Sequence, residues 1–330
     1  GALVPLQRFG GGVDAVRGMY RFLDYCYVVT GSSLYRIDSA WHSTSLGTVS
    51  GSGPVSMSDN GVQLFIACNP DGSIYNATNG TLAQITDADF AGAVTVGYLD
   101  GYFIFNQPNS QRFWITSLLD GTSIDPLDFA SAEGAPDNIV ALVVNHLELW
   151  LFGTNSIEVW YNSGAADFPF QRIQGAYMEI GCLAYSSVAK LDNTLYWLGS
   201  AARGSGIVYK SQGYNGLRVS TFAVESAIQN YAVVDDALAF SYQQEGHAFY
   251  VLIFPTEGKT WVYDVATQMW HERAGFYNGQ EVRYRPNCHA VFNKVTLFGD
   301  FANGMIYASQ LNWDETYTHV LDRCVRSWRA

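Results

Sequence analysis

The stretch Leu191-Asp192-Asn193-Thr194-Leu195-Tyr196-Trp197-Leu198-Gly199, followed by Gly204-Ser205-Gly206-Ile207-Val208-Tyr209-Lys210, decides the fold. It reads as an Asp-Asn turn, an apolar strand, a Gly-rich turn and a second strand ending in an aromatic. These are the residue types a hairpin needs, in the order it needs them. A sheet with one wet face alternates apolar and polar residues along each strand. Leu195-Tyr196-Trp197-Leu198 is apolar at each position, so both of its faces must be covered.

The pattern recurs. Asp24 precedes an apolar run at 25–29, Asn60-Gly61 one at 64–67, Asp100-Gly101 one at 102–105 and Asn145 one at 149–152. Asp192-Asn193, Glu245-Gly246 and Asn293-Lys294 precede the runs at 195–198, 249–252 and 295–298, which brings the copies to seven. Successive copies are spaced 36, 40, 45, 47, 53 and 48 residues apart. Each is followed by a strand with an aromatic partner, such as Leu34-Tyr35-Arg36-Ile37 or Phe113-Trp114-Ile115. Most add a more polar outer strand, at 44–49, 82–85, 170–173, 217–220 and 269–273, and weaker inner strands such as 93–98 and 139–144 precede the turns. Helices could cover both faces of the apolar strands, but almost no helical periodicity lies between them. Several short strands recurring every 40 to 50 residues or so are the signature of propeller blades, in which neighbouring blades do the covering.

The expected fold is therefore all-β, a seven-bladed propeller, with six and eight as the competing counts. The blades are expected near 12–49, 53–90, 92–130, 138–176, 183–222, 236–275 and 287–310. The seventh lacks an outer strand of its own, and residues 3–9 resemble the outer strands (compare Phe170-Gln171-Arg172-Ile173). The N-terminal segment is expected to supply that strand and close the ring. Within the widest gap, Val224, Ile228 and Tyr231 fall on one helical face, which predicts a short helix between blades. Residues 120–136 form the longest turn-rich connection. Residues 311–330, ending in Arg323-Cys324-Val325-Arg326-Ser327-Trp328-Arg329, depart from the acidic body and read as the start of a following segment or domain.

A net charge of −12 argues against a surface that grips nucleic acid, which needs a Lys/Arg excess. It is compatible with a surface past which nucleic acid slides. Cys26, Cys68, Cys182, Cys288 and Cys324 are scattered and form no CxxC pair, so neither a zinc site nor a disulfide scaffold is indicated, and buried reduced thiols are expected. No apolar run approaches the roughly 18 to 20 residues of a membrane span.

No nucleophile elbow, zincin motif, P-loop or dinucleotide fingerprint is present, and the six histidines show no ligand spacing. No cofactor or metal is expected. Asp87-Ala88-Asp89 and Asp235-Asp236 are the nearest acidic pairs. Acid/base work on a glycosidic bond needs two carboxyl groups at a defined separation, which adjacency in sequence does not provide. A convergent set of carboxylates and arginines over the central channel would favour a carbohydrate-binding or carbohydrate-cleaving propeller. Phe168-Pro169-Phe170 reads as the start of an outer strand rather than an exposed docking patch, because Gln171-Arg172-Ile173 continues it. Phe168, Phe170 and Trp313 are the expected interface residues.

Four stretches carry a family resemblance: Gly51-Ser52-Gly53-Pro54-Val55-Ser56-Met57, Phe113-Trp114-Ile115-Thr116-Ser117-Leu118-Leu119-Asp120, Ala135-Pro136-Asp137-Asn138-Ile139-Val140 and Leu151-Phe152-Gly153-Thr154-Asn155-Ser156-Ile157-Glu158. In this order they resemble segments of the tail hub, or packaged-DNA stabilisation, proteins of short-tailed bacteriophages, which are related in role to tail nozzle proteins. The resemblance is best over residues 50–200. It implies a non-enzymatic structural protein of the virion, made in the host cytoplasm and not inserted in a membrane. Six copies would form a ring below the portal and adaptor proteins, retain packaged DNA and pass it on ejection without sequence-specific binding. Tailspike or needle proteins are the further partners the resemblance implies.

Overall fold

Asp192 and Asn193 have positive φ, 48° and 63°, the backbone of a two-residue turn whose twist matches its flanking strands. Short polar side chains tolerate that region best. Leu191 pairs with Thr194 across the turn, and Trp197 lies opposite Tyr209 on the next strand. The computed structural model describes residues 2–9, 14–132, 134–201, 204–277, 280–310 and 325–328.

Successive side chains of a strand point to opposite faces, and this strand uses both. Leu195 and Trp197 pack with Trp150 and Phe152 of the preceding blade, while Tyr196 and Leu198 pack with Tyr250 and Leu252 of the following one. The ring centroids of Trp197 and Phe152 are 5.5 Å apart, as are those of Tyr196 and Tyr250. A strand wedged between two sheets has no solvent face to keep polar, which is why the sequence does not alternate.

Among the described residues there are seven sheets, one per blade. From the inner strand outward, blade 1 contains Val16–Phe22, Tyr25–Thr30, Ser33–Ile37 and Ser43–Thr48. Blade 2 contains Ser56–Asp59, Gln63–Cys68, Asp71–Asn76 and Thr81–Gln84, and blade 3 Val96–Leu99, Tyr102–Asn106, Arg112–Ile115 and Phe129–Ser131. Blade 4 contains Ile139–Asn145, Glu148–Gly153, Ile157–Asn162 and Phe170–Met178. In blade 5 a 3-10 turn, Tyr185–Ser187, splits the inner strand into Gly181–Cys182 and Ala189–Leu191, followed by Thr194–Ala201, Gly204–Gln212 and Asn215–Arg218. Blade 6 contains Leu238–Gln244, His247–Phe254, Lys259–Asp264 and Met269–Tyr277, and blade 7 Pro286–Phe292, Val295–Asp300 and Met305–Gln310.

The N-terminal strand Ala2–Arg8 is the fourth strand of blade 7, running antiparallel to Met305–Gln310 from the pair Ala2/Gln310 to the pair Arg8/Met305. The first strand of the chain thus closes the ring on the last blade, as expected from residues 3–9. Phe9, 3% exposed, joins a core cluster with Val16 and Val28 of blade 1 and Leu297 and Ile306 of blade 7. Six further clusters fill the junctions 1–2, 2–3, 3–4, 4–5, 5–6 and 6–7. Each junction between neighbouring blades therefore has its own apolar core, including the one that joins the two ends of the chain.

Some features depart from the sequence reading or add to it. The outer strand of blade 3, Phe129–Ser131, lies inside the stretch read as a plain connection. Blade 6 gains two strands on Met269–Tyr277, namely Gln280–Arg283 and Val325–Trp328. The second of these belongs to the stretch assigned to a following segment; residues 311–324 lie outside the described residues. The helix expected in the widest gap is α1, Phe222–Gln229, with Val224 and Ile228 buried against blades 5 and 6.

The packing of the inner ring carries a pH dependence. His289, on the inner strand of blade 7, stacks on Phe240 of blade 6 with 5.4 Å between centroids. Burial pushes its pKa down to about 4. The folded chain therefore keeps this ring neutral where the unfolded chain, with an ordinary value near 6.5, takes up a proton. The stabilisation is fully present above pH of about 6.5 and is lost as the pH falls toward about 4, by at most about 3 kcal/mol. Denaturant titrations should show His289→Leu losing less stability than the parent chain between pH 7 and 4.5; parallel losses would contradict this.

Candidate functional site

Because strand direction alternates within each blade, the turns between first and second strands all lie on one face of the ring. The loops leading into the inner strands lie on the other face. On that second face, loops from blades 1, 2, 5, 6 and 7 converge on the axis around a cavity of about 560 Å³. This is the size of a small-molecule site.

Arg17, at the start of the inner strand of blade 1, is 9% exposed and lines the cavity. Its Nε donates to Gly53 O at 2.6 Å and its Nη1 to Gly31 O at 2.9 Å, which ties blade 1 to the loop that begins blade 2. Its Nη2 has no hydrogen-bond partner among the described residues. Burial raises the pKa of the neighbouring Cys68 thiol, against the opposing pull of the Arg17 charge. The loop can approach this closely because Gly51 has φ +83° and because a Cβ there would sit 2.0 Å from Cys68 O. Gly51→Ala is expected to cost at least about 2 kcal/mol, since the left-handed backbone alone costs roughly 1–2 kcal/mol for a residue with a Cβ. A chemical denaturation midpoint unchanged from the parent would contradict it.

Opposite Arg17, Asp235 is exposed and Asp236 half-buried. Asp236 Oδ2 accepts the Thr256 N–H at 2.8 Å, while its Oδ1 has no partner among the described residues. Arg283 lies 4.2 Å over the Phe301 ring and donates to Asn287 Oδ1 at 2.6 Å. Burial pushes its pKa down to about 10, with Asp236 and Asp300 opposing that shift. The cavity mouth thus holds two carboxylates and two guanidiniums, with a donor on each of Arg17 and Arg283 and an acceptor on Asp236 left over among the described residues. Such a set can hold a small polar ligand that both accepts and donates hydrogen bonds.

Of the two acidic pairs in the sequence, Asp235-Asp236 lines this cavity. Asp87 instead caps its own turn, accepting the Asp89 N–H at 2.9 Å and the Ile124 N–H at 3.3 Å. Arg17, Arg283 and Phe301 were not singled out, and no local signal marks them, because ring closure brings them together. Phe170 begins the outer strand of blade 4 and is 2% exposed, in the core of the 3–4 junction. Phe168 is half-buried against the same core, 5.8 Å from Phe113. The Phe170 ring is thus covered by its own chain, and Trp313 lies outside the described residues. Cys26, Cys68 and Cys182 are buried free thiols, and Cys288 is a part-buried one. Among the described residues no group of three or more His, Cys, Asp or Glu side chains is placed to hold a metal ion. No helix of the described residues is long and apolar enough to cross a membrane.

The opposite face has a second cleft of about 460 Å³ between blades 4 and 5. Tyr214 donates to Glu148 Oε1 at 2.5 Å there, and His146 Nε2 lies 2.6 Å from Asn193 Oδ1. These polar groups are satisfied by one another.

Residues 5–312 match the model of a family described as "Bacteriophage P22 Gp10, beta-propeller". No curated protein matches the chain. Among solved structures, the extracellular domain of the putative hybrid two component system BT4673 from B. thetaiotaomicron is similar with a TM-score of 0.61 and 10% identity, over 94% of this chain and 40% of that one. YCF48 from Cyanidioschyzon merolae is similar with a TM-score of 0.55 and 9% identity, over 93% of this chain and 98% of that one. The computationally designed Ika8 protein is similar with a TM-score of 0.55 and 9% identity, over 93% of this chain and 100% of that one. At such identities the likeness to solved structures is one of fold alone.

Proposed function

Because this chain belongs to the bacteriophage P22 Gp10 β-propeller family, we propose that it is a structural subunit of a short-tailed phage's tail hub or nozzle. In this reading six copies form a ring below the portal and adaptor proteins, retain packaged DNA and build part of the ejection channel. Tailspike or needle proteins dock on the same assembly. The observation that carries the proposal is the family match over residues 5–312, on a chain whose seven blades form one closed ring.

In this reading DNA passes through the ring that the copies enclose, and not through the cavity of about 560 Å³ within one propeller. A chain with net charge −12 repels phosphates rather than neutralising them, which favours sliding over binding. Unlike faces of neighbouring copies would meet in a ring that closes by rotation. Particles assembled without this chain should fill with DNA and then lose it. Heads that stay full without it would overturn the retention role.

One observation favours a second reading. Asp235, Asp236, Arg17 and Arg283 converge at the mouth of the axis, the constellation expected of a propeller that binds or cleaves carbohydrate. Incubating the purified chain with polysaccharide from the host surface separates the two readings. Saturable binding lost in Asp236→Asn, or turnover, would favour the second; neither is expected of a purely structural subunit.

A further inference from the structure

The connection between the third and outer strands of blade 3 is held down firmly and still presents leucines to solvent. It folds back over the inner turns of blades 2 and 3. The Leu119 N–H donates to Gly101 O at 2.7 Å, Asn60 Nδ2 donates to Leu119 O at 3.2 Å, and the Gly121 N–H donates to Gln63 Oε1 at 2.7 Å. Ile124, 6% exposed, anchors the connection in the 2–3 core. On this fixed frame Leu118 is 60% exposed, Leu119 61% and Leu127 80%, with Val62 of the adjoining turn at 47%.

Leu119 also has φ +61°. A left-handed backbone costs a residue with a Cβ roughly 1–2 kcal/mol. Hydrogen bonds of the Leu119 backbone hold that conformation, while its side chain gains no burial. Leu23 and Leu147 are also exposed at positive φ, but here several exposed apolar side chains stand on one ordered connection and its adjoining turn, which points to a binding surface.

The charge around it indicates what binds. Between Arg36 and Arg172 the chain carries one basic residue, Arg112, against fourteen Asp and Glu. This stretch, which forms the outer strand of blade 1, blades 2 and 3 and most of blade 4, carries −13 against −12 for the whole chain. Asp59 ends the inner strand of blade 2 beside one of the turns, Asp100 lies on the other, and Asp120, Asp125 and Asp128 lie on the connection itself. Their crowding is felt locally: burial and then Asp125 raise the pKa of Asp128, and burial with Asp59 and Asp100 raises that of Tyr98. Arg112, whose guanidinium lies 4.4 Å over the Phe129 ring, is a single positive charge against these five carboxylates.

We propose that Leu118, Leu119, Leu127 and Val62 form a docking surface for a partner protein segment that presents apolar side chains flanked by lysine or arginine. The acidic surround would steer such a segment in, and the leucines would hold it. The same patch on a second copy does not fit, because two acidic collars would face each other. This goes beyond the assembly reading and is tested independently of any ring.

The probe is a fluorescein-labelled 16-residue peptide of alternating leucine and lysine pairs, with a leucine–glutamate peptide as its counterpart, followed by anisotropy on the whole chain. The lysine peptide should bind, and weaken as salt rises. Leu118→Ser/Leu119→Ser should weaken it at least tenfold with every carboxylate retained, while Leu217→Ser on blade 5 leaves it unchanged. Thermal unfolding of the double variant checks that the chain remains folded. Equal affinity of parent and double variant would overturn the proposal, as would equal binding of the glutamate peptide.

Discussion

Removing residues 1–9 is expected to abolish cooperative folding of the chain, or to lower its melting temperature by more than 10 °C or so. The segment supplies the outer strand of blade 7 and the Phe9 side chain of the 7–1 core. Phe→Ala at a buried site alone costs about 3–5 kcal/mol, against a total stability on the order of 5–15 kcal/mol. The Phe9 N–H donates to Gly304 O at 2.8 Å and Gln7 Nε2 to Ser43 Oγ at 2.8 Å, so the segment also ties blade 7 to blade 1. Without it the ring has two loose ends and a three-stranded blade with an open edge, a template for aggregation. A synthetic peptide of residues 1–9 added in trans should restore part of the lost stability. Circular dichroism melts of truncated and peptide-complemented chains check this; a truncated chain melting within about 2 °C of the parent would contradict it.

Trp197→Ala is the second large effect, expected to cost about 3–5 kcal/mol. Trp197 is fully buried, with Phe152 on one side and Tyr209 5.8 Å away. Its removal leaves a cavity between two rigid sheets that cannot collapse independently, because each is held by its next neighbour. Phe222→Ala, at an aromatic 81% exposed, should stay within about 0.5 kcal/mol. Denaturant midpoints for the two variants make the comparison. Similar losses at both positions would mean that blade junctions are not the source of stability.

Much of this architecture was legible in the chain, for physical reasons that can be named. A strand between two sheets must be apolar on both faces, and Leu195-Tyr196-Trp197-Leu198 announces that without reference to any partner. Asp192-Asn193 announces its turn, because few residue pairs accept two positive φ angles in succession. The closing strand was legible because residues 3–9 repeat the character of outer strands while the last blade lacks one. Phe129–Ser131 was not, since three residues are too few to show a period. The split inner strand of blade 5 was hidden in the same way.

The axial site was only partly visible. Asp235 and Asp236 stand side by side in sequence, but Arg17 and Arg283 meet only because the ring closes, and no local pattern encodes that. Leu118, Leu119 and Leu127 looked like ordinary members of a turn-rich connection. Their significance depends on exposure and on the φ of Leu119, which only the folded chain reveals. Phe168 and Phe170 show the converse, apolar residues beside a turn whose partners turn out to lie within the same chain.

A cryo-electron reconstruction of the intact particle at side-chain resolution decides whether this propeller is a subunit of a phage tail assembly. A ring of six copies below the portal, enclosing the DNA path, is expected. Absence of the chain from the particle, or its presence only as an isolated peripheral subunit away from the DNA path, would overturn that role.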